Sequence, residues 1–153
     1  EGGPGDVVAH WARAKALDVA SRYPRNPVLG GDTMVAVAEE ILGKPSDRGE
    51  AVEMLRRLSG SWHSVYGGAC IVWPAKGLDV SVVERTRVRF RSLSEEEIAA
   101  YVETGEPMDK AGAYGIQGYG CVLVERIDGC YFNVMGLPVS RLLARLRAHL
   151  SAT

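Results

Sequence analysis

Three polar features stand in apolar or glycine-rich surroundings, where a charged group is costly unless it has partners or work to do. The first is Gly30-Gly31-Asp32-Thr33. A carboxylate directly after a buried strand could hold a metal or take a proton from water; it could also cap a local turn through its own backbone. The second is Gly43-Lys44-Pro45, a lysine on a constrained backbone that can offer a point charge to a phosphate or stand solvated on a turn. The third is Glu106-Pro107-Met108-Asp109-Lys110-Ala111-Gly112-Ala113-Tyr114-Gly115-Ile116-Gln117-Gly118. Its glycines let the backbone approach a ligand and expose N–H groups. Asp109 and Lys110 add a carboxylate and a cation, and Gln117 adds an amide able to read a base edge. A loop this long is more often functional than ornamental.

Other residues carry weaker signals. No Walker loop and no dinucleotide fingerprint occurs. His10 and His149 fall on predicted helices, and His63 opens a predicted strand, where a hydrogen-bonded structural role is the simpler reading. Arg85, Arg87, Arg89 and Arg91 alternate along a strand and read as a solvated sheet face. Nothing near Cys121 marks it as an activated thiol.

The elements that must position these groups follow from periodicity. Asp6 caps a helix running to about 22, stopped by Pro24 and Pro27. Residues 28–37 read as a buried strand, a polar kink and more strand. Ser46 or Asp47 caps a second helix with Ala51, Met54, Leu55 and Leu58 inward. Residues 63–73 and 78–91 are extended, joined by a turn at Pro74-Ala75-Lys76-Gly77. Ser94-Glu95-Glu96-Glu97 is a capping box that opens a third helix. Residues 121–127 and 130–134 read as a hairpin through Asp128-Gly129. Pro138 starts a last helix whose apolar stripe is Val139, Leu142, Leu143, Leu146 and Leu150. Interspersed helices and strands, without repeats or a domain boundary, predict one α/β domain over residues 1–153.

Composition bounds the partners. The chain has 153 residues, 46% hydrophobic and 24% charged, which is a globular balance with no run long enough for a membrane span. A net charge of -1 gives no broad field for nucleic acid or anionic lipid. No secretory signal opens the sequence. Cys70, Cys121 and Cys130 show no Cys-x-x-Cys pair, which suits reduced thiols in a cytosolic protein.

Taken together, the motifs resemble the Maf family. Gly31-Asp32-Thr33-Met34-Val35 is similar to its Ala-Asp-Thr-x-Val element. Ile41-Leu42-Gly43-Lys44-Pro45 and Leu58-Ser59-Gly60-x-x-His63-x-Val65 follow its middle segment. Residues 105–118 match its longest motif, and Gly129-Cys130-Tyr131-x-x-Val134-x-Gly136-Leu137-Pro138 its closing one. The resemblance implies a mixed twisted sheet flanked by helices, in an inosine-triphosphatase-like fold. It implies a nucleoside triphosphate pyrophosphatase using a divalent metal, Mg or Mn, in a cytoplasmic homodimer that binds neither nucleic acid nor membrane.

The same resemblance gives Asp32 the role of proton acceptor and, with Glu1, metal contact. Lys44, Asp109 and Lys110 line the phosphate and metal cleft, with Lys15 of the first helix near it, and Thr33 and Gln117 are tied to base selection. The Asp-Lys-Ala-Gly-Ala-Tyr-Gly-Ile-Gln-Gly run at 109–118 belongs to the subgroup acting on dTTP and UTP, with modified pyrimidine nucleotides a further option. A nucleotide-binding, septum-regulating protein with little catalysis and a 7-methyl-GTP pyrophosphatase stay open as alternatives. Family members open with a strand and a Ser-x-Ser-Pro-Arg-Arg loop, a segment not found in this sequence, which starts at Glu1-Gly2-Gly3-Pro4. Gly67 stands where relatives carry threonine.

Overall fold

A computed structural model describes residues 2–38 and 40–152. Helix α1 (Pro4–Arg22) begins with proline in its first turn, and Asp6 reaches back to accept the Gly3 N–H at 3.0 Å. The helix thus starts earlier than a cap at Asp6 predicts, because Pro4 is pre-set for a first helical turn. The chain then runs through β1 (Val28–Val37) and β2 (Glu40–Leu42), then α2 (Arg48–Leu58), β3 (Trp62–Trp73) and β4 (Leu78–Phe90). It ends with α3 (Glu95–Glu103), β5 (Val124–Asp128), α4 (Tyr131–Met135) and α5 (Val139–Ser151). Between α3 and β5 the glycine-rich segment forms a series of short 3-10 helices. Asp47 caps α2, accepting from the Glu50 N–H, and Ser94 with Glu97 closes the expected capping box on α3.

The five strands form one sheet in the order β2-β1-β3-β4-β5. The α/β class and the flanked sheet are as expected, and every described pairing is antiparallel. β1 runs unbroken through Gly30-Gly31-Asp32-Thr33, because the glycines pair with Cys70 and Ala69 without crowding. Helix α1 covers one face, and α2, α3 and α5 lie on the other.

The α1 face is built from small residues. Ala12, Ala16 and Ala20 recur one turn apart, are buried, and pack on Cys70 and Val72. The helix backbone rests directly on the sheet. A Cβ at Gly30 would lie 2.2 Å from the Ala12 carbonyl oxygen, and one at Gly68 would lie 2.3 Å from that of Val8. The opposite face holds the main core, with Val35, Leu55, Leu58, Val65, Val88, Phe90, Ile98 and Leu123 among its buried members.

Two further expectations are corrected. Residues 130–134 do not pair with β5 as a hairpin; they form helix α4. Gly129 turns with φ +131, and the Thr86 hydroxyl takes the Cys130 N–H at 3.0 Å. The buried Asn133 amide then donates to the Val65 carbonyl at 3.1 Å, which fixes α4 across β3 and β4 instead of beside them. In α5 only Leu142 of the expected stripe is buried; Val139, Leu143 and Leu150 stay about half exposed, because the helix meets the sheet only near Ala69 and Val82. The arginine face is solvated as expected, with Arg85 over Tyr66 and Arg87 over Trp62. Among the described residues no helix is long and apolar enough to cross a membrane.

Gly68→Ala drives a methyl group into the α1 backbone and is expected to cost about 2 kcal/mol or more, read as a lower urea midpoint. Gly43→Ala, whose Cβ meets nothing within 4 Å, serves as the control and should show no loss.

Candidate active site

Asp32 lies on the stretch of β1 that pairs with β3 alone, since β2 reaches only Val35, Ala36 and Val37. Strand alternation turns Asp32 toward α1 and Thr33 toward the opposite face. The close seat of α1 brings Lys15 onto this point. Its ammonium donates to Asp32 Oδ1 at 2.5 Å and to the Gly31 carbonyl at 3.3 Å. With Lys15 about half exposed and Asp32 18% exposed, such a pair adds at most about 1 kcal/mol to stability. Its effect is to hold one carboxylate oxygen and a cation side by side. Thr33 donates to the Gly136 carbonyl at 3.4 Å, at the end of α4.

A cleft of about 400 Å³ opens around this strand edge. It brings together every described residue to which the family resemblance gives a role: Lys15, Asp32, Thr33, Lys44, Asp109, Lys110 and Gln117. Glu1, the other acidic position expected at a metal, lies outside the described residues. The Lys44 turn is tied to the glycine-rich segment, because the Gly112 N–H donates to the Gly43 carbonyl at 3.0 Å. Gly112 needs its positive φ of +70, and a Cβ there would lie 2.9 Å from Val35. Lys110 donates to Asp109 at 2.7 Å and to the Glu106 carbonyl at 3.0 Å. The Lys110 hydrogen bond and charge, with a smaller contribution from Lys44, hold the exposed Asp109 carboxyl below its ordinary value.

The sequence reading missed Glu106 and Tyr101. The Glu106 carboxylate accepts the N–H groups of Tyr119 at 2.9 Å and Gly120 at 3.0 Å, and the Tyr101 hydroxyl at 2.9 Å. Burial works against its charge, yet these bonds and Lys110 outweigh it and keep the carboxyl below the usual range. Two N–H groups of the glycine-rich run therefore meet an internal carboxylate, and the positive charge lining the cleft comes from Lys15, Lys44 and Lys110. A glutamate beginning such a run was the available signal.

For a divalent cation, the donor set can be tested by its chemistry. Among the described residues no group of three or more His, Cys, Asp and Glu side chains converges as a metal cage. Magnesium usually takes one or two carboxylates with waters and substrate phosphates instead of an all-protein cage. Asp32 on an open cleft fits that mode.

An α/β sheet whose edge carries a carboxylate among ammonium groups, with an amide nearby, defines a cleft suited to a phosphate anhydride. The comparisons agree: the chain belongs to the Maf-like protein family, whose model matches residues 1–149. A protein of Acetivibrio thermocellus named dTTP/UTP pyrophosphatase is 51% identical over 144 residues, covering 90% of this chain and 72% of the relative. Proteins of the same name from Bacillus anthracis and Bacillus mycoides are 51% and 49% identical, each covering 94% of this chain and 74% of the relative.

Behind the cleft, His63 Nε2 and the Tyr114 hydroxyl share a buried hydrogen bond of 2.7 Å. Burial pushes the His63 imidazole down from 6.5 to about 4. The unfolded chain therefore takes up this proton before the folded one, and stability present above pH 6.5 is lost as pH falls toward 4. Between pH 7 and 4.5 the wild-type unfolding free energy should fall by about 2–3 kcal/mol more than that of His63→Gln, measured by urea titration.

Proposed function

We propose that this chain is a nucleoside triphosphate pyrophosphatase that hydrolyses dTTP and UTP to the monophosphate and pyrophosphate. The observation that carries the reading is the convergence on one cleft of Asp32, Lys15, Lys44, Lys110 and Gln117. Relatives about half identical to it carry the name dTTP/UTP pyrophosphatase, which supports the same substrates here.

The triphosphate lies along the lysines. Lys44 and Lys110 hold charge on the leaving β- and γ-phosphates in advance of reaction, which spares reorganisation in the transition state. Asp32, one oxygen held by Lys15, orients a water at the α-phosphorus and takes its proton. The water oxygen bonds to the α-phosphorus, the bond to the α–β bridging oxygen breaks, and pyrophosphate leaves with the electron pair. A divalent cation, Mg or Mn, would be held by Asp32 with the substrate phosphates, and when bound it supplies Lewis-acid charge and a more acidic water. Asp109 keeps Lys110 in place.

Base selection falls to Gln117 and Thr33. A carboxamide presents a donor beside an acceptor, the complement of the O4 and N3–H edge of uracil and thymine. A base that leaves such groups unpaired is rejected. A single domain in the cytoplasm, paired as a homodimer, completes the reading; the half-exposed Phe132, Met135, Val139 and Leu143 support an apolar contact between copies.

Pyrophosphate release with Mg or Mn from dTTP, UTP, CTP, GTP, ITP and 7-methyl-GTP tests the proposal. Release confined to dTTP and UTP is expected, and Asp32→Asn should lower kcat by about 10²-fold or more, the usual weight of a positioned base. Full turnover by that variant would remove Asp32 from the mechanism, and preference for 7-methyl-GTP would overturn the substrate.

A further inference from the structure

Gln117 sits at the tip of a short arch whose two ends are tied to the same pair of side chains. On one side the Gly115 N–H donates to the Tyr101 hydroxyl at 3.1 Å. On the other, the N–H groups of Tyr119 and Gly120 donate to the two carboxylate oxygens of Glu106. Tyr101 and Glu106 are themselves joined at 2.9 Å, so the arch is closed by one continuous network. Between the anchors Ile116 is buried and Gln117 is exposed on the cleft. Among the described residues the Gln117 amide takes no hydrogen-bond partner.

The glycine spacing follows from this clamp. A Cβ at Gly118, whose φ is +68, would lie 2.5 Å from Glu106 Oε2. One at Gly120 would lie 2.0 Å from the Gly115 carbonyl oxygen and 2.8 Å from the Tyr101 hydroxyl. These glycines make room for the carboxylate and the phenol. Neither Tyr101 nor Glu106 is among the residues that line the cleft.

We propose that Glu106, acting with Tyr101, is the positioning residue for base selectivity: it holds the arch at 115–120 so that the Gln117 amide meets the pyrimidine edge already placed. This rests on the pyrophosphatase reading and deepens it. An amide on a loose arch can turn either way and pair with uracil or cytosine alike, whereas a held one favours a single edge. Ordering the arch beforehand also removes an entropic cost from binding. The Glu106 side chain and backbone act on different arms of the site. Its carboxylate holds the base-reading arch, and its carbonyl accepts the Lys110 ammonium. Substituting the side chain therefore leaves the Lys110 hydrogen bond to the carbonyl in place, and the change in charge felt by Lys110 acts on every nucleotide alike, so it cancels in a ratio between two bases.

The test is kcat/KM for UTP, dTTP and CTP in wild type, Glu106→Gln and Tyr101→Phe, with amide hydrogen exchange on each. Glutamine keeps the size but places an NH₂ group against at least one backbone N–H. The expected result is a UTP:CTP ratio lowered about tenfold or more in Glu106→Gln, from loss on UTP with CTP nearly unchanged, and a smaller fall in Tyr101→Phe. Exchange should quicken at Tyr119 and Gly120 while β3 and β4 stay protected. A wild-type ratio in both variants, or an equal loss on all substrates, overturns the proposal. Wild-type protein that releases no pyrophosphate from UTP or dTTP overturns the pyrophosphatase reading, and the selectivity role with it.

Discussion

The backbone of α1 lies directly on two glycines of the sheet, and the placement of the site depends on that contact. Only a residue without a Cβ fits beneath the Val8 and Ala12 carbonyls, at Gly68 and Gly30. Alanines at 12, 16 and 20 keep the helix flat against the strands along its length. Larger residues would lift α1 by the thickness of a side chain, and packed interiors do not absorb such a change. The seat of the helix brings the Lys15 ammonium to Asp32, two residues along β1 from Gly30. A stripe chosen for smallness thus sets the distance between a cation and a carboxylate that packing energy alone would leave undefined.

The cleft itself arises where the sheet stops being covered. Asp32 and Thr33 point to opposite faces of β1, yet both reach one ligand space, because β2 pairs only with the far end of the strand. The other wall comes from residues 109–117, pinned to the Lys44 turn through Gly43 and Gly112 and to α3 through Tyr101. Lysines at 15, 44 and 110 face carboxylates at 32 and 109, leaving a local positive excess in a chain whose net charge is -1. That excess is what a polyphosphate requires, and the placed donors are ready before it arrives.

Much of this was legible in the sequence, for physical reasons that differ from residue to residue. The caps of α2 and α3, the long strands and the inward face of α2 follow from local rules, and local rules decided them. Asp32 stood out as a carboxylate following a buried strand and Lys44 as a cation on a constrained backbone, and the family likeness, not the local pattern, decided between a site and an ordinary turn. Lys15 sits in an ordinary helix, and only family likeness raised it; its partner is 17 residues away across a helix–sheet contact that no local pattern encodes. The segment at 130–134 follows Asp128-Gly129, a hairpin signal, and the buried Asn133 amide, a tertiary partner of Val65 and Thr86, holds it as a helix instead. The glycines at 115, 118 and 120 were visible, but what they make room for was not, since Tyr101 lies on another element.

The most direct measurement is a crystal structure with α,β-imido-UTP and magnesium, whose scissile bridge cannot be cleaved. The predicted result has phosphate oxygens within hydrogen-bond reach of Lys15, Lys44 and Lys110, the α-phosphorus nearest Asp32, and the uracil edge against Gln117. A triphosphate lying away from those lysines, or a base placed at Asp32 with the phosphates toward Gln117, would contradict it.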